Sequence, residues 1–210
     1  YEISECLVGS EMCIRDRFTG ARRGEICGLR WSDVDLDAGT ISIERTLQYI
    51  PGKGTVFTSP KTKRSRRCIK MGVDCVQLLQ EYRKHQKAER FKIGSEWVRK
   101  VEIEGKTVEN DLLFTKWNGA PIDPKTVTTW FPGFLAAYDL LPVHFHSLRH
   151  TNASLLIAAH VPVTAVSGRL GHAKTSTTTD IYAGFIRSAD AAAADALTDV
   201  FTRIREENHA

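Results

Sequence analysis

Residues 144–151, HFHSLRHT, place three imidazoles and one guanidinium within eight positions. His146 and His150 are four residues apart, so on a helix they would share one face, and imidazoles in this arrangement can bind a metal ion. Arg149 stands between them and is permanently cationic, which makes a metal site electrostatically poor. For His144 we favour a surface or helix-capping role. The sequence therefore predicts no metal here.

An anion suits these residues better than a metal does. Besides Arg149 and His146, the sequence contains Arg22 in GARRGE (20–25) and His172 in LGH (170–172), which could serve the same anion. In phosphoryl transfer, negative charge grows on the non-bridging oxygens, and preorganised arginines stabilise it. This combination indicates a site for a phosphodiester.

Two further residues could complete such a reaction. Lys61 opens the basic run KTKRSRR (61–67) and could act as a flexible proton donor. Tyr182 offers a phenolic nucleophile. The sequence has neither a glycine-rich phosphate loop nor a carboxylate cluster for magnesium, which argues against nucleotide- or metal-driven transfer. We therefore expect no cofactor.

Each of these residues also has an ordinary structural interpretation. Arg22 or Arg23 could be a solvated helix arginine, and the run 61–67 could be only a charged hairpin. Tyr182 could be a core aromatic residue, and His172 could cap a helix C-terminus. Taken singly these interpretations are the commoner ones. Only the occurrence of these residues together and in this order favours a phosphodiester site.

The elements that must position these residues follow from periodicity. A buried helix is expected to start behind Thr19. Residues 40–50, 55–59 and 66–71 predict three strands of a small antiparallel sheet with a basic hairpin. The pattern is helical from 73 to about 92, and again over 127–140 with an interruption at Pro132 and Gly133. Further helices are expected after the histidine cluster, between Pro162 and Gly171, and from about Ala191 to the end. The result is an α+β, mostly helical domain.

Bulk properties agree with one domain. The chain has 210 residues, 42% of them hydrophobic, and a net charge of +4 with its basic residues concentrated in 61–67, which hints at a polyanionic partner. No membrane span or secretory leader is evident, and the odd number of cysteines, five, suits reduced thiols. We expect a cytoplasmic protein.

The opening seventeen residues, YEISECLVGSEMCIRDR, differ from the rest. They show neither helical nor strand periodicity, and LVGSEMCIRD matches the translation of a common sequencing-library adapter. We interpret residues 1–17 as translated adapter and exclude them from the fold. A natural disordered N-terminus is the alternative.

Five segments of the remainder, from Phe18 to the C-terminus, resemble the tyrosine recombinases, or phage-type integrases. TGARRGEICGLRWSDVD resembles their first arginine motif and KTKRSRR the β-hairpin that carries their lysine. HSLRHT matches their H-x-L-R-H signature, LGH their later histidine and DIYAGF their tyrosine motif. The order and spacing of five motifs make the resemblance specific. It implies the catalytic domain of that family, residues 18–210, without the N-terminal core-binding domain.

The resemblance also implies residue roles at the phosphate. Arg22, Arg149 and His172 would bind the scissile phosphate, and Glu25 would support the site from behind. Arg23 beside Arg22 makes the first assignment depend on alignment, but Glu25 three positions on supports Arg22.

The remaining roles concern proton transfer and attack. Lys61 would protonate the leaving 5′ oxygen, and His146 would assist proton transfer or orient the phosphate. Tyr182 would form a 3′-phosphotyrosyl link, which stores the bond energy and removes the need for ATP or metal. Ser147 stands where the family often has Asp, a departure that we expect to be tolerated.

The partners implied are double-stranded DNA at attachment sites, three further copies of the chain in a homotetramer, and an excisionase or host DNA-bending protein. Lys63, Arg64 and Arg66 in the basic hairpin would contact DNA, mainly at phosphates. The terminal helix would dock onto a neighbouring subunit. The activity implied is site-specific integration and recombination of a mobile element.

Two other functions remain open. A type IB topoisomerase would share the nucleophilic chemistry, although the residues in these motifs favour recombination. A non-catalytic DNA-binding relic is the alternative outside enzymes, and the presence of every expected active-site residue disfavours it.

Overall fold

The computed structural model describes residues 19–59, 65–172, 174–176, 178–179 and 182. The adapter-like residues 1–17 and the terminal helix expected from Ala191 lie outside the described residues, as do Lys61, Lys63 and Arg64. The interpretations of these segments stay predictions.

Helices are the most abundant secondary structure in the described chain. Two single 3₁₀ turns, Trp31–Asp33 and Gly94–Glu96, accompany them. The described α-helices are α1 Arg23–Cys27, α2 Val73–Ile93, α3 Pro124–Ala137, α4 Phe145–Ala158 and α5 Val163–Leu170.

The strands pair only in antiparallel fashion in the described part of the chain. A three-stranded sheet has the order β1-β2-β5, and two hairpins are formed by β3 with β4 and by β6 with β7. The strands are β1 Val34–Asp35, β2 Thr40–Ile43, β3 Thr46–Ile50, β4 Gly54–Thr58, β5 Arg67–Lys70, β6 Lys100–Ile103 and β7 Lys106–Glu109.

The predicted α+β class and the small three-stranded antiparallel sheet are confirmed, but the strand assignment differs in detail. Residues 40–50 form two strands rather than one, because the chain leaves the sheet at Arg45, whose guanidinium pairs with the buried Asp33. As a result β4 joins a separate hairpin, and β1 takes its place in the sheet. The β6–β7 hairpin was not predicted.

Two helix boundaries also differ from expectation. Helix α1 begins after Arg22 and not behind Thr19, because Gly20 takes a left-handed backbone conformation with φ of 65°. Helix α3 continues through Pro132, since Phe131 and Leu135 are buried on either side of it and hold the helix in place.

Two buried clusters support the site. The larger core is formed by α1 to α3 and the strands. A smaller cluster joins Ala153, Ile157, Val166, Leu170 and Tyr182. Helix α4 contributes to both, so it fixes the smaller cluster against the core. Among the described residues, no helix is both long and apolar enough to cross a membrane.

Candidate active site

The start of α1 is built around a buried carboxylate. Glu25 is 4% exposed, and it accepts a hydrogen bond from the backbone N–H of Arg22 at 2.7 Å, as an acidic residue in the first turn of a helix often does. The Arg22 Nη1 donates to the same carboxylate at 2.8 Å. Arg23 points away and contacts Thr128 of α3. Arg22, and not Arg23, therefore belongs to this cluster.

Arg67 of β5 is the second partner of Glu25. Its Nη2 lies 2.7 Å from Glu25 Oε2, its Nη1 lies 3.1 Å from Oε1, and its side chain is only 7% exposed. Burial raises the pKa of Glu25, but the hydrogen bonds and charges of Arg67 and Arg22 outweigh it and hold that pKa below 4.5. The carboxylate therefore stays charged.

Sequence reasoning did not single out Arg67. A signal for it exists in the strand alternation, because Arg67 shares a face of β5 with the buried Ile69 while the exposed Cys68 and Lys70 share the other. An arginine on the buried face of a strand needs partners there. The sequence interpretation assigns proton donation and DNA contacts to other members of the run 61–67 and gives Arg67 no role.

Arg149 lies on the buried face of α4 and is 3% exposed. Its Nη1 donates to the carbonyl of Gly20 at 2.6 Å, and its Nη2 donates to the carbonyl of Leu170 at 2.8 Å. The guanidinium thus joins the turn before α1 to the end of α5.

Three arginines from three different elements meet at the C-terminal end of α5. Gly171 ends this helix in the left-handed conformation expected of a C-terminal glycine, with φ of 69° and ψ of 42°. Unpaired carbonyls at a helix C-terminus attract cations. The three carbonyls are consecutive: Arg67 Nε donates to Arg169 at 2.6 Å, Arg149 Nη2 to Leu170 at 2.8 Å, and Arg22 Nη2 to Gly171 at 3.1 Å.

His172 follows this turn directly and is half-buried. Its Nδ1 lies 2.7 Å from the hydroxyl of Thr178, which is fully buried. Burial, followed by the charges of Arg149 and Arg22, lowers the pKa of His172 to about 4. The imidazole is therefore neutral near pH 7, and its ring orientation is fixed by Thr178.

Tyr182 lies beside α4. Its ring is buried in the smaller cluster, and its hydroxyl lies 3.0 Å from Nδ1 of His150. Burial raises the pKa of Tyr182, and the charge of Arg149 partly opposes this. The ring of His146 meets that of His150 edge to face, with centroids 5.0 Å apart. Partial burial and then the charges of His150 and Arg149 lower the pKa of His146.

Four of the six predicted catalytic residues, Arg22, Arg149, His172 and Tyr182, are thus connected to the end of α5 or to the cluster beside it. Arg66 and His144, which the sequence analysis also considered, are both exposed. Arg66 is 58% exposed and lies 3.8 Å from Glu44, so it remains accessible. His144 is exposed at the N-cap of α4 without a side-chain capping bond. The described residues contain no group of three or more His, Cys, Asp or Glu that could hold a metal ion.

Comparison with known proteins gives this arrangement a family. The model of the phage integrase family matches residues 17–185. A XerC-like tyrosine recombinase of Caldanaerobacter subterraneus subsp. tengcongensis is 31% identical over 191 residues, covering 87% of this chain and 47% of that protein. The ICEBs1 integrase of Bacillus subtilis is 26% identical and covers 87% of this chain and 46% of its own length. The chain spans about half the length of the curated relatives it matches.

Solved structures agree. The Tn1549 transposon integrase in complex with transposon right-end DNA superposes with a TM-score of 0.70 at 25% identity, over 82% of this chain and 53% of that one. The XerA recombinase shares the fold, with a TM-score of 0.58 at 23% identity over 90% of this chain and 62% of that one. On this evidence the chain belongs to the phage integrase family of tyrosine recombinases.

Proposed function

We propose that residues 18–210 are the catalytic domain of a site-specific DNA recombinase that cleaves and rejoins strands through a 3′-phosphotyrosyl intermediate. The observation that carries this proposal is the convergence of Arg22 and Arg149 on one helix end, beside His172 and within the same small domain as a buried Tyr182. Fixed positive charge next to a phenol is what transesterification at a phosphodiester needs.

In this proposal the scissile phosphate binds at the rim formed by Arg22 and His172. The Arg22 side chain is 41% exposed although its position is fixed by Glu25, so it can meet a phosphate without losing its support. His172 is neutral, so when its Nδ1 accepts the hydrogen bond of the Thr178 hydroxyl, its Nε2–H can donate to a non-bridging oxygen. Arg149, almost fully buried, contributes its charge from beneath.

The chemical step then exchanges one phosphate ester for another. The Tyr182 oxygen attacks phosphorus, an O–P bond to tyrosine forms, and the bond from phosphorus to the 5′ oxygen breaks. The phenolic proton passes to His150, which already lies 3.0 Å away, with His146 beside it. Lys61, assigned from the resemblance, gives a proton to the leaving 5′ oxygen. A second 5′ hydroxyl reverses the reaction.

The DNA partner is proposed from two observations. The Tn1549 integrase, which resembles this chain, was solved in complex with transposon right-end DNA. Arg66 is exposed, and the sequence before it is rich in lysine and arginine. We propose attachment-site DNA of a mobile element as substrate, a homotetramer as the acting form, an excisionase or host DNA-bending protein as accessory partner, and the cytoplasm as its location.

Covalent trapping tests the nucleophile. In a DNA duplex nicked just downstream of the cleavage position, attack releases a short fragment that carries the new 5′ hydroxyl. Because this fragment is lost, the protein–DNA adduct accumulates and shows as a mass increase on a denaturing gel. We expect the unchanged protein to form the adduct and Tyr182→Phe to form none, while both bind DNA with the same salt dependence. Tyr49→Phe is the matched control, because Tyr49 is an exposed tyrosine outside the site.

The outcomes separate the candidate functions. An adduct formed by Tyr182→Phe would exclude Tyr182 as the nucleophile. DNA binding without any adduct from the unchanged protein would favour a binding relic. Adduct formation with relaxation of supercoiled plasmid, but no strand exchange by the full-length protein, would favour a topoisomerase.

A further inference from the structure

Arg67 is bound on every side that the structure describes, and its partners are parts of the candidate site. It contacts Glu25 through two nitrogens, the carbonyl of Arg169 through Nε at 2.6 Å, and the carbonyl of Ser65 through Nη1 at 3.0 Å. Because its side chain is only 7% exposed, it cannot readily reach a DNA phosphate. A role through its neighbours is therefore the one to consider.

The geometry connects Arg67 to Arg22 through one shared carboxylate. Glu25 Oε1 accepts from Nη1 of Arg22 at 2.8 Å and from Nη1 of Arg67 at 3.1 Å, and Oε2 accepts from the Arg22 amide and from Arg67 Nη2, each at 2.7 Å. Without Arg67, half of the donors that fix the carboxylate would be lost. A buried carboxylate with fewer donors either moves or takes up a proton.

The same guanidinium also fixes the end of α5. Its Nε holds the carbonyl of Arg169, while the next two carbonyls hold Arg149 and Arg22. Packing here is close, because a Cβ added to Gly171 would lie 2.7 Å from Nη1 of Arg67. Arg67 thus sets the relative position of α1 and the turn that leads into His172.

We propose that Arg67 is a positioning residue for phosphate binding: it orients Arg22 through Glu25 and ties both to the end of α5, without touching the phosphate. This inference rests on the proposed function, because that function supplies the phosphate. Lysine could not replace Arg67, since one ammonium cannot span two carboxylate oxygens and a separate carbonyl with fixed geometry.

The first measurement needs no activity. The pKa of the Glu25 carboxyl is followed by NMR titration of the 13C-labelled side chain in the 210-residue chain. In Arg67→Met we expect this pKa to rise relative to the unchanged protein, because only the hydrogen bonds and charge of Arg22 then oppose the effect of burial. Arg45→Met is the matched control, since Arg45 also forms a buried ion pair, with Asp33, but outside the site. It should leave the Glu25 pKa unchanged.

The second measurement compares two substrates in the covalent trapping assay. One carries the natural phosphate at the cleavage position, and the other carries a neutral methylphosphonate that lacks one charged non-bridging oxygen. We expect Arg67→Met and Arg67→Lys to slow adduct formation about tenfold or more on the phosphate and clearly less on the methylphosphonate, without weakening DNA binding. A loss of stability unrelated to the phosphate would slow both substrates equally, and Arg45→Met, which removes a buried ion pair outside the site, is the reference for that effect.

Several results would overturn the proposal: an unchanged Glu25 pKa in Arg67→Met, the full rate in Arg67→Lys, or equal losses on the two substrates. If Arg67→Met fails to fold, Arg67→Lys serves for both measurements. If the unchanged protein forms no adduct, the proposed function fails, while the carboxyl titration still decides whether Arg67 fixes Glu25.

Discussion

Two buried carboxylates in this protein begin from the same local design and differ in their distant partners. Glu25 follows Arg22 by three residues, and Asp33 follows Arg30 by three residues. In both cases the backbone N–H of the arginine donates to the acid, at 2.7 Å for Glu25 and 2.9 Å for Asp33. Both acids are nearly inaccessible to solvent.

The difference lies in the ratio of arginines to carboxylates. Around Asp33 each arginine has its own acid, because Arg45 pairs with Asp33 and Arg30 pairs with Asp111. At Glu25, Arg22 and Arg67 share one carboxylate. A balanced pair holds two segments together, whereas a shared carboxylate leaves positive charge available for an anion. Local spacing alone therefore does not distinguish a structural ion pair from a candidate phosphate site.

Neutralising each acid should separate the two centres most strongly. Glu25→Gln and Asp33→Asn each leave one largely buried arginine, Arg67 or Arg45, without a charged partner, which typically destabilises a protein by about 3–5 kcal/mol. Only Glu25→Gln should also slow adduct formation, by roughly a hundredfold, because Arg22 loses its orientation toward the phosphate. Thermal unfolding and single-turnover trapping of both variants check this. Equal rate losses would remove the distinction drawn between the centres.

The sequence shows much of this site, because its motifs are local. Helix α2 at Val73–Ile93 and the glycine-ended α5 agree with the periodicity and capping signals. Arg149, on the buried face of α4, is found from a single signature of eight residues. These features depend on residues that are close together in the chain, so the sequence alone predicts them.

The sequence does not show which residues far apart in the chain contact each other in the fold. Arg66 and Arg67 are adjacent letters of one basic run, yet the first is 58% exposed and the second 7%. Their difference depends on the register of β5 against β2 and on contact with Glu25, which lies 42 residues away. The contact of His150 with Tyr182 is not evident from the sequence for the same reason, since the two residues are 32 positions apart in the chain.

Substituting the glycine at the end of α5 should give an intermediate effect. Gly171→Ala adds a Cβ 2.7 Å from Arg67 Nη1 at a left-handed position, whereas Gly105→Ala meets the same left-handed strain with nothing within 4 Å. Each should lose about 1–2 kcal/mol of stability from the backbone strain. Only Gly171→Ala should also slow trapping, by about tenfold, because the guanidinium that holds Glu25 must move. An unaffected rate in Gly171→Ala would mean that this helix end tolerates displacement of Arg67.

The smallest expected effect concerns pH and His172. Its pKa of about 4 lies below the ordinary 6.5, so between these values the unfolded chain binds the proton more readily than the folded one, and stability falls as the pH decreases through this window. His172→Gln should therefore show a smaller drop in melting temperature between pH 7 and pH 5 than the unchanged protein. His144→Gln, at an exposed position, should leave the drop as it was. Glu25 titrates lower and is present in all three proteins, so it cancels in the comparison. An identical drop in all three would mean that burial and the charges of Arg149 and Arg22 together do not lower the pKa of His172.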